Sequence, residues 1–432
     1  MSVVNRTERL RNLLAHLRET LGIDLGFRLW DGSTVPADLA PDALAVAIAD
    51  ESVPAALFRK PNLNTLLNLY VTRRIDIVNG TLFDMVAQKP KVRSREVRRL
   101  LDKKLLFRSV ADYIFRSRGG PWPLEQIRGD KATADGSETA NKENVHYHYD
   151  VSNAFYALFL DPEMVYTCAY FRDWNNDLAT AQRDKLDMIC KKLRLKPGET
   201  LLDIGSGWGA LVCHAAQHYG VNAVGVTLAG EQYVYAREKV IRLGLQDKIR
   251  FELRDYTLVQ GQFDKISSIG MFEQVGIDNY PQYFQTVNRL LKPGGLYLHH
   301  AIARPAKRTE KVFRKTNPEY AAIRRYIFPG GELDHLGMSV ANLERYGFEV
   351  HDVEGWREHY QHTLRHWHDR LLARYDDAVK EIGEVKTRLW IAYIAGCSIA
   401  FERNSVTINQ TLASKRQRGP SGLPPTRADL YV

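Results

Sequence analysis

The chain has 432 residues, room for a large core plus an appended module, and its 44% hydrophobic and 26% charged content is that of a globular protein. No apolar run reaches the roughly 18 residues of a membrane-spanning helix, and the early charges Arg6, Glu8, Arg9 and Arg11 argue against a secretory leader there. The net charge of +9 calls for an anionic partner, either nucleic acid or the phosphates of a membrane surface, while four scattered cysteines without metal-ligand spacing fit a reduced cytoplasm and no metal site.

In chain order, Leu10, Leu13, Leu14, Leu17 and Leu21 recur at helical spacing. Phe27 to Trp30 leads into Asp31-Gly32, a turn signal that predicts a strand and hairpin. Leu66 to Val71, with Ile75 and Ile77, predicts mixed helix and strand. A basic helical stretch follows, in which Lys89, Lys91, Arg93, Arg95, Arg98, Arg99, Lys103, Lys104 and Arg108 surround Leu100, Leu101, Leu105, Leu106 and Phe107. A solvated helix face accounts for such charges as well as an anion site does. As an anion site, a basic helix with an apolar face suits a membrane surface better than a nucleic acid groove. Arg118 to Pro121 is a breaker cluster, and the polar residues after it read as a linker.

Thr200-Leu201-Leu202-Asp203-Ile204 reads as a buried strand that runs into Gly205-Ser206-Gly207-Trp208-Gly209, with a helix from Ala210 to Tyr219. The glycines permit a tight turn and a close approach of backbone to ligand. Further strands are expected at Asn222 to Val226, Lys248 to Leu253, Phe263 to Ile269 and Leu296 to His300, with a helix from about Gly230 to Leu243 and a turn at Lys292 to Gly295. Strands alternating with helices imply a doubly wound α/β sheet that binds its ligand at the carboxyl ends of the strands. A dinucleotide-binding dehydrogenase would need an acidic residue near the end of the second strand; Val226-Thr227-Leu228 has none, which favours an S-adenosylmethionine-dependent methyltransferase. Leu389 to Phe401, a shorter apolar run ended by Glu402 and Arg403, is expected as a buried helix.

Several motifs narrow this further. They are His148 to Ser152, Tyr166 to Phe171, the glycine turn, Val226 to Leu228 with Gln232, Gly270 to Gly276, Leu298 to Ile302, Tyr326 to Gly330, and Tyr360 with Thr363-Leu364. On these, from about Asn144 to about Asn409, the chain resembles the cyclopropane-fatty-acyl-phospholipid synthases and the related mycolic acid cyclopropane synthases. The resemblance implies a class I methyltransferase fold, with a mostly parallel seven-stranded sheet whose last strand, fitted by Ser405 to Leu412, is antiparallel. A smaller N-terminal α+β domain would precede it. The expected division is 1–120 for lipid or membrane docking, 121–144 as linker, 145–414 as catalytic domain and 415–432 as a basic, flexible tail.

The resemblance further implies methyl transfer from S-adenosylmethionine to a cis double bond of a phospholipid acyl chain, with bound bicarbonate as the base for ring closure. The bicarbonate holders would be the Cys168 backbone, Glu273, His300, the Ile302 backbone and Tyr360. The cofactor would be held by Tyr149, Tyr166, Thr167, Asp203, Gly205, Gly207, Thr227, Gln232, Asp255 and Tyr256, with Gln232 at the ribose and Asp255 at the adenine. A homodimer peripheral to the inner face of the cell membrane is expected, without a nucleic acid partner. The chemistry is consistent with the residues. An alkene is a weak nucleophile and must be aligned with the sulfonium. The cation that forms needs a dry site and gains from aromatic faces, for which Tyr149, Tyr166, Tyr170, Phe171, Phe272 and Tyr360 are candidates.

Two departures from the family stand out. Gln274 replaces a histidine found in many members, and Gly-Ser-Gly replaces Gly-Cys-Gly in the turn. The first leaves open a methyl-branched or methyl-unsaturated chain instead of a cyclopropane product. A base-amine methyltransferase would carry an Asn/Asp-Pro-Pro-aromatic site where Met271-Phe272-Glu273-Gln274 stands, and a non-catalytic lipid-binding relative would have lost Glu273, His300 or the glycines.

Overall fold

The computed structural model describes residues 3–88, 96, 99–126, 151–315, 318–327 and 331–431. Much of the basic stretch, His148 to Asp150 with Tyr149, and Phe328 to Gly330 lie outside the described residues. The chain divides into two compact units, one of residues 1–128 with 383–395 and one of residues 129–382 with 396–432.

The first unit is α+β. Its sheet has the order β2-β1-β3-β4, from β1 (Gly26–Arg28), β2 (Thr34–Val35), β3 (Ala45–Ile48) and β4 (Ile75–Val78). The expected hairpin is β1–β2, closed by Asp31, whose carboxylate accepts from the Ser33 amide at 3.0 Å. The leucine repeat forms the helix Val3–Leu21, and Leu10 and Leu13 are buried. Leu10 packs with Leu29, Val53, Leu69 and Tyr113. Two boundaries differ from the sequence expectation. Pro123–Gln126 is helical and Leu124 is buried, its amide bonded to Asn68, so the start of the expected linker is packed structure. Residues 383–395 also join this unit although the sequence places them in the catalytic domain. Arg388 accounts for this: it pairs with Asp76 at 2.8 Å, donates to the Tyr70 carbonyl and stacks on the Tyr70 ring at 4.1 Å.

The second unit carries a seven-stranded sheet of order β10-β11-β9-β8-β5-β6-β7. Its strands are β5 (Thr200–Ile204), β6 (Asn222–Thr227), β7 (Ile249–Leu253), β8 (Phe263–Ile269), β9 (Leu291–Ala303), β10 (Phe348–Gly355) and β11 (Thr407–Lys415). Pairing is parallel throughout β9-β8-β5-β6-β7, while β11 runs antiparallel to both β9 and β10. Lys292 to Gly295 lies within β9 instead of forming a separate turn; the register shift between Phe263 and Lys265 absorbs it. One core cluster gathers Leu186 and Ile189 of helix Leu178–Lys192, Val212 of Ala210–Tyr219 and Val240 of Gly230–Arg242. Another gathers Tyr283, Phe284 and Val287 of Tyr280–Leu290 with Leu343 and Phe348. Strand order reverses beside β5, so the carboxyl ends of β5 and β8 frame the crevice where this architecture binds ligands. The tail is packed, not loose: Leu430 is buried, Arg194 pairs with Asp429 and Arg427 with Asp352. Among the described residues no helix is long and apolar enough to cross a membrane.

Candidate active site

The glycine turn leaves β5 with Gly205 at φ +80° and Gly207 at φ +53°, conformations that favour glycine. A Cβ on Gly205 would meet the Met271 side chain at 2.8 Å, whereas one on Gly207 would have nothing within 4 Å. Both glycines line a cleft formed with Thr227, Gln232, Asp255 and Tyr256, together with Met271 and Gln274. Thr227 Oγ1 lies 3.2 Å from Gln232 Oε1, and the Asp255 carboxylate accepts from the amide and hydroxyl of Thr257 at 2.9 and 2.7 Å. Six of the ten expected cofactor residues therefore line one cleft.

Three more line an adjoining recess of about 560 Å³ that shares Gly205, Gly207 and Gln232: Tyr166, Thr167 and Asp203. Sequence reasoning missed its buried cation, Lys185, which donates to Thr167 Oγ1 at 2.8 Å. Burial pushes the Lys185 pKa down to about 8, opposed by Asp161, Cys168 and Asp203. Burial likewise pushes Asp203 up to about 6, against the Ser267 hydroxyl at 2.7 Å and the charge of Lys185. The signal was present in helix Leu178–Lys192, where Lys185 and Lys192 fall on the face that buries Ala181 and Ile189. A lysine at such a position needs a partner. Tyr149 lies outside the described residues.

Two of the expected catalytic residues lie just beyond β8 and on β9. Glu273 sits in a short 3-10 turn, Phe272–Gln274, just past β8, and its Oε1 accepts from the Ile302 amide at 2.6 Å. The amide expected to hold an anion thus orients this carboxylate. Glu273 Oε2 is buried with no hydrogen-bond partner. Burial pushes the Glu273 pKa up to about 7; the Ile302 amide opposes this and the charge of Asp334 adds to it. His300 on β9 is fully buried, with Nδ1 3.0 Å from Gln410 Nε2 and its own Nε2 unpartnered. Burial, then the charges of Lys185 and Lys192, hold it well below the usual histidine range, so the ring is neutral.

Trp356, also missed from sequence, connects the remaining residues. Its carbonyl accepts from Cys168 Sγ at 3.8 Å and from the Tyr360 amide at 3.1 Å. Its ring lies 5.3 Å from His300 and 4.8 Å from Tyr170, centroid to centroid. Burial raises the Cys168 thiol pKa, so this cysteine is no thiolate nucleophile. Tyr166 joins Tyr156 and Trp367 at 5.2 and 5.1 Å, and Tyr360 lies 6.0 Å from Trp367. Phe272 is different: it packs on Tyr280, Tyr283 and His299 in a separate core cluster and belongs to the fold, not to the aromatic wall.

Comparison with known proteins agrees with this geometry. The family model for mycolic acid cyclopropane synthetase matches residues 136–411. A Pseudomonas putida protein named "Probable fatty acid methyltransferase" is 36% identical over 422 residues, spanning 96% of this chain and 98% of its own. The cyclopropane-fatty-acyl-phospholipid synthase of Escherichia coli is 38% identical over 268 residues, 62% of this chain and 66% of that one. Among solved structures, a cyclopropane synthase from Mycobacterium tuberculosis superposes with a TM-score of 0.60 at 31% identity, covering 63% of this chain and 98% of that one. A mycolic acid cyclopropane synthase complexed with SAH and CTAB gives 0.59 at 33% identity, with the same coverage. The chain belongs to the mycolic acid cyclopropane synthetase family and is an S-adenosylmethionine-dependent methyltransferase.

Proposed function

We propose that the enzyme converts the cis double bond of an unsaturated phospholipid acyl chain into a cyclopropane ring, with S-adenosylmethionine supplying the carbon and bound bicarbonate supplying the base. The observation that carries this reading is a pair of buried, unpartnered atoms of opposite type, the acceptor Glu273 Oε2 and the ring nitrogen His300 Nε2. Such atoms are costly to bury unless a ligand satisfies them. A small oxyanion with one hydroxyl would suit both: Glu273 would accept its O–H and His300 would donate to its oxygens, and the family resemblance adds the Tyr360 phenol and the Cys168 backbone as further holders. The aromatic pairs Tyr166–Trp367 and Tyr170–Trp356 supply faces that stabilise positive charge and keep water from trapping it. Exposed Lys103, Lys104 and Arg108, on a helix that also exposes Phe107, support docking to an anionic bilayer.

The name of the Pseudomonas putida relative, which this chain matches nearly end to end, favours a second reading in which the product is a methyl-branched chain that keeps a double bond. Expressing cells fed methionine with a fully deuterated methyl group distinguish the two. A ring keeps two of the three deuteriums, because one leaves as the proton taken by the base, whereas a methyl-branched alkene, formed when a neighbouring chain carbon loses its proton instead, keeps all three. Mass spectrometry of the phospholipid acyl chains is expected to show two. In purified form, turnover should fall in degassed, bicarbonate-free buffer and recover when bicarbonate returns. Full activity without bicarbonate, or acyl chains unchanged in mass, would overturn the proposal.

A further inference from the structure

Three residues on adjacent strands face one another across the sheet. Gln410 on β11 is directly opposite His300 on β9 and directly opposite Glu354 on β10. Residues paired in this way project to the same face. Buried Lys192, at the end of helix Leu178–Lys192, completes the row: it donates to Glu354, and to Gln410 Oε1 at 2.7 Å, with its ammonium 5.2 Å from the centre of the Trp356 ring. The expected site of this enzyme includes His300 but none of the other three.

Hydrogen-bond chemistry fixes the orientation of every member. An ammonium has only donors, so the amide oxygen of Gln410 must face Lys192. The amide NH2 then faces His300 Nδ1 at 3.0 Å. An NH2 group can only donate there, so Nδ1 must present its lone pair. A neutral imidazole carries one proton, which is left on Nε2. That nitrogen is the buried one without a protein partner.

We propose that Lys192 and Gln410 are positioning residues that lock His300 in the Nε2–H tautomer, so that it presents a fixed hydrogen-bond donor to an oxyanion in the active site. The proposal rests on the reading that His300 holds an anion. Without the lock, the Nδ1–H tautomer would turn a lone pair toward that anion, replacing attraction by repulsion. The arrangement also accounts for a lysine and a glutamine in an otherwise apolar interior: each is satisfied by the next, and Glu354 compensates the charge.

The test separates the tautomer from the chemistry. Nitrogen NMR of the full-length enzyme labelled in its histidine rings, with His300 assigned by its loss in His300→Gln, is expected to show Nε2 protonated and Nδ1 bare. Lys192→Met frees the Gln410 amide to turn over, and Gln410→Met removes the donor. In each, proton should appear on Nδ1. Turnover should fall by about tenfold or more, equivalent to about 1.4 kcal/mol at the transition state, with the apparent affinity for bicarbonate weakened and the KM for S-adenosylmethionine within about twofold of the parent. A proton on Nδ1 in the parent enzyme overturns the proposal even if neither variant folds. So does a shifted tautomer with unchanged turnover, or an unshifted one with lost turnover. If the parent shows the Nε2–H tautomer but turns over without bicarbonate, the base assignment under "Proposed function" fails and the anion-donor role of His300 fails with it.

Discussion

Glu273 is pulled in two directions. Its Oε1 takes a hydrogen bond from the Ile302 amide, which favours the carboxylate, yet burial and the charge of Asp334 prevail and push its pKa from 4.5 up to about 7. A carboxyl group raised in this way binds its proton more tightly in the folded chain than in the unfolded one. Its stabilising contribution is fully present below pH 4.5 and is lost as pH rises through about 7. Asp334, pushed from 3.8 to about 7 chiefly by burial, acts in the same direction. Glu273→Gln removes one of the two titrations. Relative to the parent, the variant is expected to gain about 1–3 kcal/mol of stability between pH 5 and pH 8. Chemical denaturation across that range measures it, and a difference that does not change with pH would show that Glu273 titrates as an ordinary carboxylate. The same variant should lose ring formation far more than cofactor affinity, because the acceptor for an anion's O–H becomes an amide. That separation distinguishes a reacting-site role from a structural one.

At the scale of elements, the parts closest to the cofactor were the most legible. The β5–turn–helix segment follows from a short apolar run and three glycines whose positive φ leaves few alternatives. Strand β10 was missed because it is an edge strand: Phe348 to Gly355 carries Glu349, His351, Asp352 and Glu354 and is buried only at Phe348, so no apolar run announces it. The packed tail was hidden by its prolines and charges, since its apolar anchors are the isolated Leu423 and Leu430 and the rest of its hold is the ion pairs of Asp429 and Arg427. Glu273, His300 and Ile302 stood out only through family resemblance; a glutamate after a strand and a histidine ending one are ordinary in isolation. The buried face of its helix flags Lys192 as needing a partner, but that partner, and the roles of Gln410 and Trp356, could not be found by local pattern, because they come from contacts between residues as far apart as 192 and 410. The glycine turn yields its own prediction. At φ +53° a side chain on Gly207 costs roughly 1–2 kcal/mol of backbone strain, and its Cβ would meet no protein atom within 4 Å in a turn that lines the cleft. Gly207→Val should therefore fold with a modestly lower Tm and fail to bind S-adenosylmethionine in calorimetry. Unchanged binding in the folded variant would remove the ligand from this turn.

For the whole molecule, the proposed substrate raises the question of how an enzyme without a spanning helix among its described residues would reach acyl chains inside a bilayer. The net charge of +9 provides long-range attraction to an anionic leaflet, with each Lys or Arg near that surface contributing on the order of 1 kcal/mol. Attraction alone would leave the protein above the headgroups. The first unit also exposes apolar surface: Phe107 is 74% and Phe115 93% accessible, beside Lys103, Lys104 and Arg108. Aromatic residues so exposed are costly in water and favourable at the headgroup boundary. The two contributions respond differently to salt. At high ionic strength the Debye length shrinks to about 3 Å, which screens the charges and leaves the aromatic contribution intact. Binding to vesicles containing anionic phospholipid is thus expected to weaken steeply as salt rises and then level off at a residual affinity. Phe107→Ser combined with Phe115→Ser should lower that residual while leaving the salt-dependent part, and Lys103→Gln with Lys104→Gln should do the reverse. Equal binding to neutral vesicles with no response to salt would reduce the basic face to a solvated surface and place membrane attachment elsewhere on the chain.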